Sequence, residues 1–140
     1  MHQLIFVHLP VSDLPRSRRF FTALGYRFND EFCDPGRALC LMLGGNIYAM
    51  LLKPECYARF TRTGAGHAAV LAVSVDSREH VDRLVDAAIA AGGTEVRVQD
   101  QGFMYGRSYA DPDGHVWELM WMDPLAAAGA SARRSSTAIA

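Results

Sequence analysis

Read for hydrophobic and polar positions, the chain makes two passes through one series. Residues 4–11 are an apolar run rich in Ile, Val and Phe, the pattern of a buried strand. Ser12 or Asp13 then caps a helix, with Pro15 in its first turn, where a missing N–H does no harm. Phe20, Phe21 and Leu24, with Ser17 between turns, form its apolar stripe, and Gly25 is placed to end it. Residues 26–32 read as a second strand, and Asp34-Pro35-Gly36 turns the chain. Residues 38–43 and 46–52 form a hairpin across Gly44-Gly45-Asn46. A polar connector over 53–66 follows, in which Tyr57 and Phe60 suggest a short helix or lid.

The series then restarts. Residues 69–75 read as a strand, and Asp76 or Ser77 caps a second helix, with Glu79 three residues after Asp76 as in a capping box. Val81, Leu84, Val85 and Ala88 follow i, i+3, i+4, i+7 spacing before Gly92-Gly93 closes the helix. Strands follow over 94–99, 103–110 and 115–122. The last two are joined by Asp111-Pro112-Asp113-Gly114, where Pro presets φ and Gly accepts φ > 0, a strong hairpin connection. In the closing strand Val116, Glu118 and Met120 alternate with Trp117, Leu119 and Trp121. Each half is thus strand, helix and three strands, and the entries Val11-Ser12-Asp13 and Val73-Ser74-Val75-Asp76 match. The expectation is an α+β fold of duplicated βαβββ modules, with curved, mainly antiparallel sheets under two amphipathic helices. Residues 1–66 hold the first module and connector, 67–124 the second, and 125–140 an Ala/Ser-rich mobile tail with Arg133 and Arg134.

Composition narrows the function classes. At 140 residues, the chain can hold one domain with a real core or two small fused modules. Half of it is hydrophobic, and a formal net charge of −1 gives no global field for nucleic acid or an anionic membrane. No apolar run reaches bilayer-spanning length. Residues 1–7 lack the basic start and long apolar core of a signal peptide, so a cytoplasmic protein is expected. The odd set Cys33, Cys40 and Cys56, without zinc-type pairing, suits reduced thiols filling core space. No Ser-His-Asp series, phosphate-cradling Gly loop or nucleic-acid motif appears.

The closing hairpin, DPDGH-x-WEL, resembles that of the vicinal oxygen chelate superfamily, which includes glyoxalase I, bleomycin-resistance proteins, fosfomycin-resistance enzymes and extradiol dioxygenases. GFMYGRS followed by DPDGH-x-WE-x-MWMDP is more narrowly similar to a bacterial subgroup labelled predicted lactoylglutathione lyases. The resemblance covers residues 4–124. It implies two curled half-barrels whose pockets a partner chain helps to complete, hence a homodimer binding a small-molecule ligand. In metalloenzyme members, ligands on the first and last strands of each module hold a divalent ion (Ni, Zn, Mn or Fe). That ion stabilises an enediolate or oxyanion by Lewis-acid action. This sequence departs from the set: the implied ligand positions fall at Phe6, Met50 and Val70, and only Glu118 is in place.

Several candidate site residues remain. Glu118 in so apolar a strand either lies at a wet rim or faces a pocket that supplies a partner. His8 is two residues past Phe6 and so on the same face. It forms a shifted two-ligand metal site with Glu118, or an acid–base couple with it, or simply hydrogen-bonds within a partly polar cavity. Phe6, Tyr48, Met50, Tyr105 and Arg107 are the candidate substrate-binding residues. Arg107 either holds a substrate carboxylate or phosphate bidentately or pairs structurally with Glu118 or Asp111. Trp117 and Trp121, on the face opposite Glu118, read as core under a helix, His80 and His115 as solvated, and His67 as out of parity with Val70. Two functions stand open: a glyoxalase-like protein acting on a small oxygenated molecule with an incomplete metal-ligand set, and a metal-free binder of an antibiotic or aromatic molecule.

Overall fold

The computed structural model of the chain describes residues 4–58 and 69–125. Phe60, His67, His2 and the expected tail from residue 126 onward lie outside the described residues. β1 (Ile5–Pro10) leads into α1 (Leu14–Ala23), whose N-cap is Asp13: its side chain accepts from the Arg16 N–H at 3.0 Å. The stripe Leu14, Ser17, Phe20 and Phe21 is buried, and Gly25 takes φ 95°, where a side chain would be strained. The strand expected over 26–32 shortens to β2 (Arg27–Phe28). Asn29 then caps a 3-10 helix (Asp30–Phe32) by accepting the Glu31 N–H at 3.1 Å, which diverts the backbone from the sheet. β3 (Ala38–Gly44) and β4 (Ile47–Leu52) form the expected hairpin, and α2 (Pro54–Tyr57) supplies the short helix of the connector.

The second module repeats the plan with β5 (Val70–Ser74), α3 (Arg78–Ala90), β6 (Thr94–Asp100), β7 (Met104–Ala110) and β8 (Val116–Met122). Of the two candidate caps, Ser77 does the capping, accepting from the His80 N–H at 3.0 Å. Asp76 and Glu79 are therefore one residue out of register for a capping box. The strand orders are β1-β4-β3-β2 and β5-β8-β7-β6, the same permutation twice. In each sheet the module's first and last strands pair in parallel and the other pairings are antiparallel.

One core serves both sheets. Leu9, Leu41, Ala49 and Leu51 from the first, Val81, Val85 and Ala88 from α3, and Tyr109, Trp117 and Leu119 from the second are buried together. α1 bridges the modules through Phe21 edge-on to Trp117 (5.3 Å between centroids) and Phe20 against Tyr109 (6.0 Å). Trp117 is fully buried, as its alternation implied, and burying a side chain of that size contributes roughly 3 kcal/mol or more. No helix among the described residues is long and apolar enough to cross a membrane.

The closing hairpin turn is a clasp as well as a connection. Asp111, 5% exposed, accepts from the backbone N–H groups of Asp113 and His115 and from the Trp117 indole N–H at 3.0 Å. Asp113 Oδ1 reaches the first module, accepting from the Ser12 N–H (2.8 Å), the Ser12 hydroxyl (2.9 Å) and Arg16 (3.2 Å). His115 is not solvated: its Nε2–H donates to the Pro10 carbonyl at 2.6 Å, which tethers the turn to the end of β1.

Candidate functional site

Strand register decides which side chains share a face, because direct cross-strand partners point the same way. In the first sheet Phe6 pairs with Tyr48, His8 with Met50, Cys40 with Met50, and Met42 with Tyr48. The intervening residues Leu9, Leu39, Leu41, Ala49 and Leu51 fill the core beneath the helices. Phe6, His8, Met42, Tyr48 and Met50, beside the fully buried Cys40, therefore stand on the face that α1 and α3 leave open. Four of these five (all but Met42) are site candidates from the sequence, and the fold brings them together.

A ring cluster occupies this face. Phe6 and Tyr48 stack at 5.1 Å with 16° between planes, and Phe32 meets both edge-on at 6.4 and 6.3 Å. Phe32 arrives from the 3-10 helix, so the same departure from the expected strand that shortens β2 delivers the third ring. The cluster is accessible, with Phe6 40% and Phe32 51% exposed. The Tyr48 hydroxyl is turned aside to donate to the Gly45 carbonyl at 3.1 Å.

Glu118 stands on the corresponding face of the second sheet. Its cross-strand partners are Ala72 and Ser108, and Met104 with Met122 and Gly106 with Met120 complete the surface. The half-buried carboxylate lies over the β7 backbone at Gly106: a Cβ there would sit 3.1 Å from Glu118 Oε1. Glycine is the residue that leaves this space. Among the described residues no cation or hydrogen-bond donor is paired with the carboxylate.

Tyr105 and Arg107 go to the other face. Arg107 pairs with Leu119 across the hairpin, and its guanidinium, 11% exposed, meets Asp82 (3.0 Å), Asp86 (3.1 Å) and Glu95 (3.1 Å). Burial opposes its charge, but the hydrogen bonds it donates to these three carboxylates outweigh it and raise its pKa. The Tyr105 hydroxyl donates to Asp82 at 2.6 Å, which raises the phenol and lowers the Asp82 carboxyl. Arg78 lies over the Tyr105 and Trp121 rings and forks onto Asp100, whose pKa its hydrogen bonds bring down to about 2. The expectation that Tyr105 and Arg107 line a cavity with Glu118 is corrected by this register. The alternative partners Glu118 and Asp111 are replaced by carboxylates of α3 and β6.

The donors available for a divalent ion are few. At the positions implied by the resemblance, Phe6 and Val70 carry no donor atom, Met50 offers a thioether and Glu118 one carboxylate. His8 and Glu118 belong to different sheets, and among the described residues no three His, Cys, Asp or Glu side chains form a group able to hold a metal. This donor set does not fit a resident divalent metal. What it offers instead is ring faces, thioethers and one carboxylate.

Comparison with known proteins points the same way on fold. The family model described as Glyoxalase/Bleomycin resistance protein/Dioxygenase superfamily matches residues 3–119. A solved glyoxalase/bleomycin resistance protein/dioxygenase family enzyme from Burkholderia phytofirmans PsJN is 25% identical, with a TM-score of 0.70 over 84% of this chain and 96% of that one. A glyoxalase-related enzyme from Fulvimarina pelagi is 20% identical with a TM-score of 0.73, covering 86% and 88%. A lactoylglutathione lyase from Agrobacterium tumefaciens is 18% identical with a TM-score of 0.68, covering 84% and 92%. No curated protein matches the chain.

Proposed function

This chain belongs to the glyoxalase/bleomycin resistance protein/dioxygenase superfamily, and from that premise we propose that it binds a small planar molecule through aromatic rings and methionines rather than through a chelated metal. The observation that carries this reading is a segregation of side chains. Of the six methionines, the five beyond Met1 (Met42, Met50, Met104, Met120 and Met122) all stand on the open faces, half-buried, and none joins the core cluster. The Phe6–Phe32–Tyr48 cluster lies on the same side. Thioethers and ring faces adapt to flat apolar ligands with little directional demand. A core would use such residues as filler, whereas here the core is Leu, Val, Ala and the aromatics under the helices.

Phe6 is the anchor in this reading. It presents an exposed ring already stacked on Tyr48, so a flat ligand extends an existing stack. Losing one aromatic pairing and its buried area weakens binding by about tenfold or more. The test is a titration with acridine, phenazine and quinoline against the wild-type chain and Phe6→Ala, with far-UV circular dichroism to verify folding. The expected result is saturable binding of at least one compound, weakened in Phe6→Ala. Absence of binding across the panel, or equal affinity in the variant, overturns the proposal.

A second reading has its own support. Gly106 leaves room for the Glu118 carboxylate on an otherwise apolar face, which suits a group that meets a polar atom of the ligand. In this reading Glu118 and His8, supplied by the two sheets of a homodimer, handle a proton on a small oxygenated substrate. If Glu118→Gln and His8→Ala both keep every turnover found for the wild type, this second role is gone.

A further inference from the structure

A cavity lies on the opposite side of the first sheet, away from the open faces. It has a volume of about 670 Å³ and is lined by Leu14 and Pro15 of α1, Leu39 of β3, Cys33 after the 3-10 helix, and the cations Arg18 and Lys53. That volume is within the range of small-molecule sites, and the lining is mostly apolar. Its charges are unequal. Arg18 is compensated, paired with Asp30 at 3.3 Å and lying over the Phe28 ring at 4.8 Å. Lys53, half-buried where β4 ends, makes no ion pair among the described residues. It is the chain's single lysine. Among the described residues the cavity therefore combines an apolar body with one uncompensated positive charge.

We infer that this cavity is a second binding site, which takes a small amphipathic monoanion: an aliphatic or aryl carboxylate, its apolar part between α1 and β3 and its carboxylate at Lys53. The complementarity is of charge as well as shape. Arg18 and Lys53 against Asp30 leave a net of one positive charge. A dianion would exceed it, and an uncharged alcohol would leave the half-buried ammonium without an ionic partner. This site is separate from the ring cluster on the open face and does not depend on what binds there.

A single lysine makes the test direct. Reductive methylation with ¹³C-formaldehyde keeps the positive charge and gives Lys53 one dimethylammonium resonance, beside that of the chain's α-amine. Decanoate is the probe and decanol the uncharged control. The expected result is a saturable shift of the Lys53 resonance with decanoate and none with decanol. Isothermal titration of the unmodified chain should show decanoate affinity about tenfold lower in Lys53→Gln and retained in Lys53→Arg, since a hydrogen bond to a charged group is lost only in the first. No saturable shift up to the solubility of decanoate overturns the inference, as does unchanged affinity in Lys53→Gln. Abolition of decanoate binding by Phe6→Ala assigns the ligand to the open face and equally overturns it.

Discussion

Replacing Asp113 by Ala removes the acceptor that holds the closing hairpin to the start of α1. Its side chain is 10% exposed, and it accepts from the Ser12 N–H at 2.8 Å, the Ser12 hydroxyl at 2.9 Å and Arg16 at 3.2 Å. The Ser17 hydroxyl, at 3.5 Å, is at the limit of a hydrogen bond and adds little. The two Ser12 bonds contribute about 1 kcal/mol each, net of competing water. Arg16, 40% exposed, adds about 0.5 kcal/mol at most after solvent screening. Ser12 is exposed, so water takes over part of the role, and the expected loss is about 2 kcal/mol. For a chain of this size that lowers Tm by about 6 °C. The assay is thermal unfolding followed by circular dichroism, with Asp30→Ala as the control. Asp30 pairs with Arg18 but is 80% exposed, so its removal shifts Tm by about 1 °C or less. Coupling between Asp113→Ala and Ser12→Ala in a double-mutant cycle is expected near 1 kcal/mol. An Asp113→Ala chain melting with the Asp30→Ala control refutes the idea that this turn clasps the modules together.

Two further outcomes follow from the same structure. Burial lifts the Asp111 carboxyl above its ordinary 3.8 despite the opposing Trp117 hydrogen bond, so the folded chain keeps a proton that the unfolded chain has already released. Stability due to Asp111 is therefore greatest below 3.8 and declines as pH rises through the raised folded value. Urea unfolding of wild type against Asp111→Asn, stepped upward from pH 3.8, should show a wild-type advantage that shrinks with pH, and a flat difference contradicts it. Homodimerisation is expected as well, because Phe6 (40% exposed) and Phe32 (51%) on the open side of the first sheet and Val70 (59%) on that of the second leave apolar surface uncovered. Light scattering should give twice the 15.4 kDa chain mass, and a monomeric mass at micromolar concentration contradicts it.

The regular parts of the fold were legible because their signals are local. The i, i+3, i+4 stripes, the Asp13 cap and the turn glycines each act within a few residues, and the two helices and most strands follow from them. One strand end and one helix start were not, since Asn29 could as well have continued a strand and Ser77 and Asp76 are chemically similar caps. Site parity was half-read. Phe6, His8, Tyr48 and Met50 share a face because their spacing within each strand is even and β1 lies parallel to β4 in matching register. Tyr105 and Arg107 were misassigned because His115, read as the first residue of the closing strand, belongs to the connection. The connection closed by the Ala110–Val116 pair spans residues 111–115, one residue longer than the Asp111–Gly114 turn, and this puts odd residues of β7 with odd residues of β8, so they belong with Trp117 and Trp121, not with Glu118. The partners of Asp111, Asp113 and His115 lie about 100 residues away or inside one tight turn, and no periodicity announces them. Phe32 joined the ring cluster only through the 3-10 helix, a tertiary outcome that strand patterning obscures.

Recognition at the open faces by rings and thioethers, with no resident metal, is the central claim, and elemental analysis tests it most directly. The chain is purified without chelator, dialysed against Ni, Zn, Mn and Fe salts in turn, passed through desalting resin and analysed beside Glu118→Ala. The donor set of Phe6, Met50, Val70 and Glu118 predicts metal far below one ion per chain in every case, with wild type and variant alike. One equivalent retained by the wild type and lost from Glu118→Ala would contradict the account and place a metal at the heart of the site.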